Sequence, residues 1–212
     1  MRSILMRRAR KLLLSIAVLL LTTAAPVVAA TEIDFLTSGS CMWMRFSGGK
    51  YIDASVYPLC TETIFNFFFI PIGKATELGL SMNVAYGMGF SIAGAPVIRH
   101  TWNDSNSVSL SVGVTAAIPL LFDYFYYQAV AVSLAHKHWL VNQPGFHFGL
   151  YLGIEADIPF AGAREYSHYY YDWYGKDHYY YDEMHDITSG FVSRMLFGIC
   201  INIGDRAYDK RR

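Results

Sequence analysis

From Leu78 to Ser91 every second residue is large and apolar. Leu78, Leu80, Met82, Val84, Tyr86, Met88 and Phe90 alternate with Gly79, Ser81, Asn83, Ala85, Gly87, Gly89 and Ser91. A period of two sustained this far predicts a single β-strand over 78–91. The pattern returns at 107–118, where Val108, Leu110, Val112, Val114, Ala116 and Ile118 oppose Ser, Gly, Thr and Ala. It returns again at 146–160, where Phe146, Phe148, Leu150, Leu152, Ile154, Ala156, Ile158 and Phe160 oppose His147, Gly149, Tyr151, Gly153, Glu155, Asp157 and Pro159. Weaker alternation predicts further strands over 33–46, 62–72, 96–102, 124–141 and 187–203. In the last, Phe191, Met195, Phe197, Ile199 and Ile201 share one face, and Arg194, Gly198, Cys200 and Asn202 the other. The total is eight strands.

The second face of each strand decides which way it turns. A soluble barrel places its apolar face inward and hydrates the other with Lys, Glu and Thr. Here the second face is mostly Gly, Ser, Ala and Asn, which suits a narrow, polar interior. The apolar face is then expected to look outward, into lipid. A secreted, soluble, lipocalin-like barrel is the alternative.

The connections alternate in kind. Gly73–Thr76, Asn103–Asn106 and Asn142–Gly145 are short and rich in turn residues. The long connections, 47–61 and 161–186, follow the first and seventh strands and are expected on the opposite side. Pro71, Pro96, Pro119, Pro144 and Pro159 are expected at strand ends or in turns, where a missing N–H costs no ladder bond.

The strand count, the spacing of these turns and the outward apolar faces cover residues 31 to about 204. There the chain resembles the small eight-stranded outer-membrane barrels of the OmpA, OmpX and OmpW types. The resemblance implies an all-β, eight-stranded antiparallel up-and-down transmembrane β-barrel with periplasmic termini. It also implies outer-membrane lipid around the barrel and assembly by the barrel assembly machinery. Such barrels commonly end on an aromatic residue. This chain continues through Gly204–Tyr208 into a basic tail, Asp209–Arg212, which points to a different assembly signal.

Composition and charge sharpen the picture at the ends. Arg2, Arg7, Arg8, Arg10 and Lys11 precede an apolar run, Leu12–Leu21, and Val28–Ala30 supplies small residues for cleavage. This reads as a secretory signal peptide, 1–30, and predicts export to the outer membrane. The remaining chain carries twelve Lys and Arg against seventeen Asp and Glu, a net charge of −5. With no basic patch, no nucleic-acid partner is expected. Cys41, Cys60 and Cys200 are too few for a disulfide framework. Lipidation of Cys41 is disfavoured, because Glu32 and Asp34 separate it from the apolar run.

Candidate chemistry is sparse. Glu155, Asp157, Arg194 and Arg45 are expected on inward faces, where buried charges pair across the core rather than act as general bases. His136 and His138 share a strand face, but Lys137 lies between them rather than a serine nucleophile. His147 falls near a turn. No enzyme activity and no cofactor are expected.

One stretch remains, 161–186, which carries most of the excess negative charge and the repeat HYYYD at 168–172 and 178–182. A turn at 173–176 would pair Tyr171 with His178 and Tyr170 with Tyr179. His168 and His178 then point to opposite sides, which disfavours a metal site. Tyr170, Tyr179, Tyr181, Trp173, Asp172 and Asp177 are the candidate contacts for a host or cell-surface ligand, since tyrosine gives large contact area at low entropy cost. The expected function is a non-enzymatic surface barrel for structure, adhesion or recognition. The alternative is an OmpW-like narrow transporter of small apolar molecules.

Overall fold

The structure is a computed structural model and describes residues 30–47, 52–86, 89–119, 125–171, 178–206 and 209. Eight strands run in chain order: β1 (Ala30–Phe46), β2 (Ile52–Ile72), β3 (Thr76–Tyr86), β4 (Gly89–Asn103), β5 (Asn106–Pro119), β6 (Phe125–Gln143), β7 (Phe146–Tyr171) and β8 (His178–Gly204). Each pairs antiparallel with its neighbours, and β1 pairs with β8, so the sheet closes into a barrel.

The expected alternation sets the faces. Leu110, Val112, Val114, Leu150, Leu152 and Ile154 are exposed on the outer wall, while Ser107, Ser109, Thr115, Tyr151, Glu155 and Asp157 are buried inside. Three tight turns and both barrel ends, Ala30 and Gly204, lie at one end, called here the near end. Two of these turns need a left-handed backbone, and glycine supplies it at Gly73 (φ 72°) and Gly145 (φ 75°).

Four expectations are corrected. The alternating run 78–91 is not one strand. Tyr86 pairs with Phe90, so the chain reverses between them. Three residues separate this pair, so even positions keep the outer face on both sides of the reversal and the alternation does not register it.

The long connection expected over 47–61 is shorter, because the β1–β2 ladder climbs into it, whereas over 161–186 strands β7 and β8 run on through the expected hairpin. The β1–β2 ladder continues to Arg45↔Ile52, and the β7–β8 ladder to Tyr171↔His178.

Pro96 and Pro159 lie inside strands. The β4–β5 ladder omits Ala95 and Pro96, and the β7–β8 ladder omits residues 158–162 opposite 187–191, without change of register. Each proline instead pairs on its other side, with Leu80 and Ala129 respectively. The missing N–H is thereby accommodated by an interrupted seam.

Arg45, finally, is exposed on the outer wall, while Met42, Met44 and Phe46 on the same strand are buried. The interior at the far end is apolar, so the polar residue is the one that faces out.

Candidate functional site

The interior holds the chemistry. Glu32 and Asp34 enter from β1, Glu77 from β3, Arg99 from β4 and Lys137 from β6, all buried. Arg99 Nη1 donates to Glu32 Oε2 at 2.8 Å and to Asn202 Oδ1 at 2.9 Å, and Arg99 Nη2 donates to Glu77 Oε2 at 2.5 Å. Lys137 Nζ donates to Glu32 Oε1 and, at 2.7 Å, to Asp34 Oδ2. Asn66 Nδ2 donates to the same two carboxylates. Two rings cover the cations. The Arg99 guanidinium lies 3.9 Å from the Phe68 centroid and the Lys137 ammonium 5.0 Å from that of Tyr151.

A second cluster sits further up. Arg194 Nη2 donates to Glu155 Oε1 and, at 2.8 Å, to Asp157 Oδ2. Glu62 lies 3.8 Å from Nη1, and Tyr127 donates its hydroxyl to Asp157 at 3.2 Å. The register explains the first contact, because Glu155 and Arg194 are direct cross-strand partners. Above this cluster the core turns apolar: Met42, Met44, Phe46, Ala117, Ala129 and Val192 pack together.

The near end is closed by the chain's own tail. Arg206 is buried and binds Asp209 through Nε and Nη2, both at 2.9 Å. Nη2 also reaches Asn142 Oδ1 at 3.1 Å, and the guanidinium stacks 5.4 Å from the Trp139 ring. His147 Nε2 lies 3.1 Å from Asp209 Oδ2, and His147 Nδ1 lies 2.9 Å from Asn142 Oδ1. Burial alone would raise the Asp209 carboxyl. The hydrogen bonds from His147 and Arg206 outweigh it and hold Asp209 well below the usual carboxylate range. Of the basic tail expected over 205–212, Arg206 and Asp209 are described, and they lie against the near-end turns.

Of the expected interior charges, Glu155, Asp157 and Arg194 meet and Arg45 does not. Glu32, Asp34, Glu62, Glu77, Arg99 and Lys137 were not anticipated. Parity held the signal: Lys137 lies between His136 and His138, which both face out, so Lys137 must face in. His136 stacks on Trp102 with ring centroids 5.6 Å apart, and both histidines reach Asn106 Oδ1, at 3.2 and 3.0 Å. Cys41 is exposed and Cys200 buried, both as free thiols.

On the far hairpin the ladder pairs Tyr170 with Tyr179, Tyr171 with His178 and His168 with Tyr181, as the sequence predicts. Asp172, Trp173 and Asp177 lie outside the described residues. Among the described residues no cluster of three His, Cys, Asp or Glu is placed to hold a metal ion.

Together the wall and its contents define a class: a closed eight-stranded antiparallel β-barrel with an ion-paired interior. No protein-family profile and no curated protein matches the chain.

Proposed function

We propose that the chain is an integral barrel of a bacterial outer membrane, that it is not an enzyme, and that it displays the β7–β8 hairpin as a surface for recognition or adhesion. One observation carries this reading: the wall is inverted relative to a water-soluble protein. Exposed Ile92, Ile98, Val112, Leu152, Ile154 and Phe197 ring the outside, while carboxylates and guanidinium groups fill the inside. An apolar exterior of this extent marks contact with lipid or another apolar surface. Aromatic residues support it at both ends of the wall. Trp43, Tyr86 and Tyr126 are exposed towards the far end and Trp102 towards the near end, the places an interfacial belt occupies.

The recognition half of the reading rests on the hairpin. Beyond Arg164, the last β7 residue paired with β6, the β7–β8 ladder continues alone to Tyr171↔His178. It thus raises the tyrosine repeat past the rest of the wall. The ion-paired core fits a structural interior better than a conduit.

Folded protein in detergent should migrate differently on a gel before and after boiling, and should sediment with outer-membrane fractions. A mature chain that stays monodisperse without detergent and shows no heat shift would refute the membrane reading. Leu152→Arg should cost about 2–4 kcal/mol of barrel stability if the site lies near mid-membrane. For the hairpin, Tyr170, Tyr179 and Tyr181 replaced together by Ser should abolish binding to host cells or neighbouring bacteria and leave the heat shift intact. Undiminished binding would remove the hairpin as the recognition surface.

A further inference from the structure

Counted as ionised groups, the charges inside the wall do not balance. Among the described residues six buried carboxylates, Glu32, Asp34, Glu62, Glu77, Glu155 and Asp157, face three buried cations, Arg99, Lys137 and Arg194. Arg206 does not alter the count, since Asp209 neutralises it at the near end. With every carboxyl ionised, that leaves three uncompensated negative charges, which are costly in a closed, low-dielectric interior unless a cation or protons join them.

The excess borders a defined space. A cavity of about 30 Å³ lies between the two ionic clusters, with Asp34 of one and Glu155 of the other in its lining. That volume accommodates one or two water-sized occupants. The β1–β2–β3 register sets Asp34, Ile64 and Asn83 at one level across three strands. Asp34 is fully buried and Asn83 is 7% exposed, yet Asp34 Oδ1 and Asn83 Oδ1 have no hydrogen-bond partner. Both residues line the cavity, with the serines Ser109, Ser111 and Ser133 across from them. The polar lining is therefore dominated by oxygen, and two of its acceptors are unsatisfied.

We infer that this cavity binds a small monovalent cation, of the sodium or potassium class, between the Asp34 and Glu155 clusters. Oxygen ligands select hard cations over zinc or copper. Two carboxylates, already engaged by Lys137 and Arg194, supply too little charge for a divalent ion, which calls for a richer carboxylate set. A monovalent ion satisfies the orphaned oxygens and removes one of the three excess charges. The inference stands on the closed wall and its contents, and does not depend on where the barrel resides.

The test is the thermal midpoint of the full mature chain, folded in a nonionic detergent at pH 7. Sodium or potassium chloride replaces N-methylglucamine chloride at constant ionic strength. The midpoint should rise by about 5–10 °C when one of the small cations reaches a hundredfold excess over its dissociation constant. Equilibrium dialysis with radiolabelled sodium or rubidium should retain one ion per barrel. Asn83→Leu removes an acceptor, fills the space and also deletes the bond that Asn83 Nδ2 donates to Glu62 Oε2 at 3.0 Å, so it should fold with a lower starting midpoint and lose both responses. Arg45→Ala, on the outer wall, should keep them. Coincident midpoints in all three salts with no retained ion would overturn the proposal. So would uptake of protons on folding sufficient to cancel the whole excess, because the carboxyls would then be neutralised without a metal ion.

Discussion

The two ionic clusters use the same residue types in different ratios. In the near cluster two cations serve three carboxylates, and each carboxylate has a cation within 2.8 Å. Higher up, Arg194 alone serves Glu62, Glu155 and Asp157, and Glu62 is no closer than 3.8 Å. The orphaned atoms follow the ratio. Glu62 Oε1, Asp157 Oδ1 and Arg194 Nε belong to the upper cluster, and only Asp34 Oδ1 to the lower. The lower cluster reaches across the barrel, joining β1, β3, β4 and β6 through ion pairs and β2 and β8 through Asn66 and Asn202. It acts as a cross-brace for the wall. The upper cluster is held by one guanidinium and is the weaker joint.

That difference can be broken deliberately. Arg194→Met should be the most damaging change, because it strands three buried carboxylates. A loss of about 3–5 kcal/mol is expected from the denaturant midpoint of the folded barrel. Lys137→Met should cost less, near or below the lower end of that range, since Arg99 continues to hold Glu32. Equal losses for the two would show that the ratio of cations to acids does not govern the interior.

Glu62→Gln should leave stability unchanged or raise it, as it removes a charge whose cation is 3.8 Å away, while the amide oxygen can still accept the bond that Asn83 Nδ2 donates at 3.0 Å. A large loss that Asn83→Ala does not reproduce would mean that Arg194 approaches Glu62 more closely than 3.8 Å in solution. Arg45→Ala, on the outer wall, should stay within about 0.5 kcal/mol of the parent, as surface changes usually do.

The tail offers a control at the near end. A depressed Asp209 carboxyl contributes stability that is fully present above its ordinary value of 3.8 and is lost only as pH falls well below it. Closure of the near end should therefore persist through mild acid, as amide exchange at Gly204 would report. Asp209→Asn should lower that protection at neutral pH.

Most of the wall was legible and most of the ionic core was not. Strands β5 and lower β7 announced themselves because large apolar residues strictly alternate with small or polar ones. The upper β7–β8 ladder was hidden by tyrosines, which occupy both parities and blur the period. Arg45 was assigned inward by the rule that polar residues face in. The rule failed where Met42, Met44 and Phe46 make the interior apolar. Arg99 and Lys137 sit in β4 and β6, whose own alternation is weak, so their burial needed the parity of each whole strand. Nothing local in Glu32 or Asp34 said that they would meet Lys137 more than a hundred positions later. Such contacts come from closure, not from spacing.

Closure also sets an order of events. Ala30 pairs with Gly204, so the final ladder joins the first and last strands of the barrel. Until β8 is made, β1 has a bare edge, and the cross-brace lacks the β8 contact through Asn202. Contacts so distant in sequence carry the largest loop-closure cost and form slowly. Before that ladder forms, β1 and β8 each present an unpaired edge, the kind of surface on which another chain can pair, and the closed barrel has neither.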